Sequence, residues 1–158
     1  MATDTQGQVK ATATHIDYSY GPHENQVFDV WLADSEEPTP LVLFIHGGGF
    51  RNGSKSNFEA QALNRLLGAG ISFAAVECRF VQHKRLPTAH EDCRRVIQLL
   101  RSKAKEWNFD VTRIGAFGGS AGAQICMWLG FHDDMADKSS DDPISRESTR
   151  LTCVATNG

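Results

Sequence analysis

No C-x-x-C pair occurs anywhere in the 158 residues. Cys78, Cys93, Cys126 and Cys153 are scattered, each inside an apolar segment. Buried reduced thiols are therefore expected, rather than a disulfide framework or a metal site. No apolar run approaches the roughly 20 residues needed to cross a bilayer. Neither sign of charge dominates, with 16 Lys and Arg against 19 Asp and Glu. That balance points to no nucleic-acid partner and no anionic membrane surface. Met1 to Lys10 is polar, without an apolar core behind a basic start, so no signal peptide is expected and a cytoplasmic location is. No repeat or low-complexity tract breaks the pattern. What remains is one globular domain.

What the chain does contain centres on Gly118-Gly119-Ser120-Ala121-Gly122, a G-x-S-x-G. Before it, an apolar run with Ile114, Ala116 and Phe117 reads as a buried strand, and after it Ala123 to Leu129 reads as a helix apolar nearly all round, hence buried. In that order of strand, tight turn, serine and helix, the motif is a nucleophile elbow. The flanking residues must be small, because the turn is strained and pressed between strand and helix. It leads into a helix N-terminus, whose free N–H groups favour developing negative charge. Ser120 is the expected nucleophile.

Taken in order, residues 1–13 are polar and predict a flexible N-terminal tail, with residues 14–158 as the domain. His15 to Tyr20 and Gln26 to Leu32 alternate, as a strand pair does. Leu41 to Ile45 is continuously apolar, the mark of a strand covered on both faces, and ends in His46-Gly47-Gly48-Gly49-Phe50. Phe58, Ala62, Leu63, Leu66 and Leu67 recur at helical spacing, and Ser72 to Cys78 reads as another buried strand. After a loop, Ala89, Cys93, Val96, Ile97, Leu100, Ala104 and Trp107 form a long amphipathic helix started by Pro87-Thr88. Beyond the elbow helix, Asp133 to Arg150 is a polar loop and Leu151 to Thr156 a last strand. Strands alternating with helices predict an α/β fold, a mostly parallel sheet with helices on both faces.

Two glycine-rich turns thus follow buried strands, and in a parallel sheet both fall at its carboxyl edge. His46-Gly47-Gly48-Gly49-Phe50 followed by Gly118-Gly119-Ser120-Ala121-Gly122 resembles the α/β-hydrolase fold. More narrowly, the pair is similar to the HGGG-bearing, hormone-sensitive-lipase-like carboxylesterases. The likeness runs from about residue 25 to the C-terminus, with Asp92 and the lead-in Asp110 to Arg113 also fitting. It implies Ser120 as nucleophile, and Gly48, Gly49 and the Ala121 N–H as oxyanion hole. It also implies hydrolysis of small esters, short-chain ones foremost, with no cofactor and no metal.

In that family the triad's acid and histidine follow the serine, on loops after two further strands. Those positions have no counterpart here, so a partial, C-terminally truncated hydrolase domain is expected. A serine needs a base within hydrogen-bond reach. Inside the chain, His90 and then His83 are the possible surrogates, because both fall near the carboxyl edge; His132 follows Ser120 too far along a helix. An apolar last strand without a partner predicts a homodimer or oligomer through edge strand 151–156. The alternatives left open are a base from a partner or second copy, an in-chain base, and a catalytically inactive, self-associating module.

Overall fold

The computed structural model describes residues 10–158. Six strands form one sheet: β1 (His15–Ser19), β2 (Val27–Trp31), β3 (Thr39–Ile45), β4 (Ser72–Val76), β5 (Phe109–Gly119) and β6 (Cys153–Asn157). Their spatial order is β1-β2-β4-β3-β5-β6. β1 and β2 pair antiparallel, β2 meets β4 antiparallel, and β4, β3, β5 and β6 run parallel. Among the described residues three α-helices complete it, α1 (Ala60–Gly68), α2 (Thr88–Ser102) and α3 (Ala121–Phe131), with a short 3-10 helix at Pro143–Arg146.

β3 shows why the apolar runs behave as strands. Leu41, Leu43 and Ile45 point into a core shared with α2 and α3, while Val42 and Phe44 point to the opposite face beneath α1. Both faces are covered, so alternation disappears and a continuous apolar run is what the fold demands. Phe28, Leu43 and Ile97 are fully buried on the α2/α3 side, each worth about 1.5–3 kcal/mol of transfer free energy. On the other side Trp31, Phe44 and Phe73 gather around Leu63 of α1. Gly68, in the last turn of α1, has no atom within 4 Å of where a Cβ would stand. Gly68→Ala should therefore raise stability by about 0.5–1 kcal/mol through the unfolded chain. A higher urea midpoint at unchanged slope checks this, and a lower one contradicts it.

Several expectations need correction. Residues 1–9 of the tail lie outside the described residues. Residues 10–13 are packed rather than loose: the Lys10 ammonium sits 4.0 Å from the Phe58 ring centre, and the Ala11 carbonyl accepts the Trp31 indole N–H at 2.8 Å. The long helix stops at Ser102, where the Lys103 N–H bonds to both Leu99 and Leu100 carbonyls. Trp107 is still buried, because its ring leaves the helix to stack on His15 at 4.7 Å. Phe58 precedes α1 instead of opening it. α3 is not buried all round: Gln124, Met127 and Phe131 on one side are exposed. Cys153 is exposed on β6, whereas Cys78, Cys93 and Cys126 are buried free thiols. β6 is the sheet's outer strand, with Cys153 to Asn157 largely open to solvent. Among the described residues no helix is long and apolar enough to cross a membrane.

Candidate active site

The parallel register opposes Ile45 at the end of β3 to Gly118 near the end of β5. Both glycine turns therefore emerge at one edge of the sheet. The contact between them explains the small residues. A Cβ on Gly118 or on Gly122 would overlap the Ile45 carbonyl oxygen, and one on Gly122 would also stand 2.8 Å from the His46 carbonyl oxygen. Between these glycines Ser120 takes φ 52° and ψ −118°. A non-glycine residue held in a sparsely populated region costs about 1–3 kcal/mol, so neighbouring contacts must hold it there. The Ser120 N–H donates to the Asn157 carbonyl at 3.0 Å, and the Ser120 carbonyl accepts the Gln124 N–H at 3.1 Å. The serine is thus pinned between β6 and the first turn of α3.

The facing loop is built on left-handed glycines. Gly48 and Gly49 have φ 115° and 60°, and the Gly48 carbonyl accepts the Arg51 and Asn52 N–H groups at 3.0 and 3.2 Å. Gly47 lies against the elbow, its Cβ direction 3.5 Å from the Ser120 Cβ. Ser120 and Gly47 open together into a cavity of about 720 Å³. Phe44, Phe58 and Phe117 give that cavity an apolar wall, while Asn57 and Glu59 supply polar groups. Ala121 starts α3 directly after the serine, where helical N–H groups lack intrahelical acceptors.

His46 underpins the loop. It is 4% exposed, with Nδ1 2.7 Å from the Gly47 carbonyl oxygen and Nε2 2.8 Å from Glu77 Oε1. Burial opposes its charge, but hydrogen bonds to Cys78, to Glu77 and to the Gly47 carbonyl outweigh burial and raise its pKa to about 10. A raised pKa stabilises the fold fully below the unfolded value near 6.5, and that contribution is lost as pH rises through about 10. The Cys78 thiol is drawn down to about 6, first by a hydrogen bond from Cys93 and, against burial, by His46.

The two possible surrogate bases lie elsewhere. His90 is packed between Phe50, at 5.6 Å between ring centres, and Trp128, at 5.2 Å, and burial and then the charge of His132 lower its pKa. His83 packs against His23 with the rings tilted, 4.7 Å between centres, and its Nδ1 accepts the Phe80 N–H. His132 follows the end of α3 and contacts the Trp128 carbonyl through Nδ1. Among the described residues no histidine lines the cavity that holds Ser120. Gly47, Glu77 and Asn157 were not singled out from the sequence. Glu77 carried a partial signal, a lone carboxylate closing an apolar strand, but only the folded register sets it level with the HGGG turn.

Comparison with known proteins agrees with this geometry. The BD-FAE family model matches residues 28–155. Esterase LipC of Mycobacterium tuberculosis is 27% identical over 113 residues, covering 70% of this chain and 28% of that protein. Ethyl acetate hydrolase of Pseudomonas putida is 30% identical over 88 residues, covering 56% of this chain and 28% of that one. An acetyl ester-xyloside bifunctional hydrolase from Caldicellulosiruptor lactoaceticus superposes with a TM-score of 0.73 at 32% identity, over 82% of this chain and 48% of its own. The chain therefore spans under a third of these curated relatives and about half of that solved structure. With its strand order, glycine turns and elbow in place, the chain belongs to the BD-FAE family and has the α/β-hydrolase fold.

Proposed function

We propose that this chain carries the nucleophile and the oxyanion hole of a carboxylic ester hydrolase. The observation that carries the reading is Ser120 itself, held at φ 52° between β5 and α3 and opening into a cavity beside the HGGG turn. The Ser120 hydroxyl attacks the ester carbonyl while a base takes its proton. The N–H groups of Gly48, Gly49 and Ala121 receive the oxyanion of the tetrahedral intermediate, a role worth about 3–4 kcal/mol per donor. The alcohol leaves, an acyl-serine forms, and water releases the acid and restores the hydroxyl. The general base comes from outside these 158 residues, in a longer chain or a partner. Short acyl groups are favoured by analogy with relatives named ethyl acetate hydrolase and acetyl esterase.

One observation favours a second reading, a non-catalytic module: the histidine-free lining of the cavity among the described residues. The test is treatment with a fluorophosphonate, followed by intact mass, together with hydrolysis of p-nitrophenyl acetate. Supplied with imidazole as an external base in place of the missing histidine, the wild-type chain should gain one adduct and Ser120→Ala none. Equal labelling in both, or none in either, overturns the esterase reading.

A further inference from the structure

Glu77 grips the oxyanion loop at both ends. Its Oε1 contacts His46 Nε2 at 2.8 Å, at the start of the loop, and its Oε2 accepts the Lys55 N–H at 3.1 Å, at the end. His46 in turn reaches the Gly47 carbonyl at 2.7 Å. A neutral imidazole has one N–H donor, yet both of these partners are acceptors. With Glu77 ionised, both short contacts are satisfied when both ring nitrogens donate, as in the imidazolium. Glu77 itself sits just past β4, with the Tyr20 hydroxyl donating to its carbonyl at 2.7 Å. Beyond it, Val81 N–H donates to the Phe50 carbonyl and Gln82 Nε2 to the Arg51 carbonyl, both at 2.8 Å. The segment following Glu77 therefore also covers the tip of the loop.

We infer that Glu77 is a positioning residue for Ser120: its carboxylate holds His46 as a buried imidazolium, and that ion pair fixes the Gly47–Gly49 turn beside the serine. The catalytic half of this inference rests on the esterase reading, whereas the ion pair does not. The charged and titratable groups around His46 are few. From the β4 end come Cys78 and Glu77; from the loop comes Lys55, paired with Asp29 at 2.6 Å and Asp17 at 3.0 Å. From α2 come Cys93 and Asp92, which act on Cys78. Glu77 is the one carboxylate bonded to the ring, and against burial the His46 pKa is raised first by Cys78 and then by Glu77.

The experiment compares wild type with Glu77→Gln and Glu77→Asp. Nitrogen-15 spectra of the wild-type His46 ring at pH 8 should show two protonated nitrogens, with titration only near pH 10. A neutral ring there, with the proton on Glu77, overturns the inference without any variant. In Glu77→Gln the ring should titrate at markedly lower pH, and amide exchange at Gly48 to Asn52, at fixed pH 7, should speed up about tenfold. Glu77→Asp, which keeps the charge, should restore the two-proton ring in part. The fluorophosphonate rate of the wild type should fall as pH rises through about 10, and in Glu77→Gln that fall should begin lower. Unchanged exchange and an unchanged pH profile in Glu77→Gln overturn the inference. If the wild type takes no phosphonate at all, the esterase reading fails, while ring protonation and loop exchange still decide the role of Glu77.

Discussion

Asp92→Ala is expected to remove about 3–5 kcal/mol of folding stability, a large share of the roughly 5–15 kcal/mol that a domain holds. Asp92 lies in the second turn of α2 and is 1% exposed. Its Oδ2 accepts the Arg79 backbone N–H at 2.9 Å and Nε at 3.0 Å, and its Oδ1 accepts an Arg79 terminal nitrogen at 2.6 Å. Gln26, just before β2, donates to the same Oδ1 at 3.0 Å. One carboxylate thus joins α2 to the segment after β4 and to the entrance of β2. Deleting it leaves an amide N–H and the buried Gln26 carboxamide without their acceptor, and a guanidinium that reaches solvent only in part. That loss exceeds what the intact pair contributes net, because desolvation is already spent. Asp92→Asn, which keeps the shape and some of the bonding, should cost less. Guanidinium melts decide it, and a loss below about 1 kcal/mol for alanine would mean that water or a rearranged Arg79 replaces the carboxylate.

Gly122→Ala is expected to damage the site more than the fold. The added methyl would drive into the Ile45 carbonyl and stand 2.8 Å from that of His46. Ile45 and His46 are where β3 turns into the oxyanion loop, and Gly122 lies in the first turn of α3. The overlap is with backbone, which no rotamer change relieves, so elbow and loop must separate. Overpacking of this kind typically costs about 1–3 kcal/mol. A shift of about 1 Å between reacting groups can cost roughly 100-fold in rate. Fluorophosphonate labelling of Ser120 should therefore drop by about that factor while the chain still melts cooperatively. Labelling at the wild-type rate would show that the two turns need not touch.

The parts of this molecule that were readable from sequence are those fixed by local chemistry. Leu41 to Ile45 and Ser72 to Val76 are strands because they are apolar on both faces, and Gly118 to Gly122 is an elbow because close contact on both sides admits only hydrogen. β5 begins earlier than the apolar pattern showed, at Phe109, because Asp110 and Thr112 bond to one another and mimic a loop composition. Trp107 fitted the helical stripe of α2, yet it is buried by partners in β1, ninety residues away. The His46–Glu77 pair depends on Ile45 and Val76 being opposed in parallel register, which no local window contains. The same holds for Asn157, whose carbonyl reaches Ser120 only once β6 lies along β5. Long-range register, rather than side-chain type, was the missing information.

The strand order also sets a timetable. β3 occupies the middle of the sheet, yet both of its neighbours, β4 and β5, come later in the chain. During synthesis, at about 5–20 residues per second, the bare Leu41–Ile45 segment must wait roughly 4–15 s before β5 has been made. Until β4 arrives this apolar, uncharged stretch has two open edges, and until β5 arrives it keeps one, the state in which chains stick to one another. The central strand thus waits longest for both of its neighbours, and residues 41–45 are the apolar window that stays open longest as the chain is made.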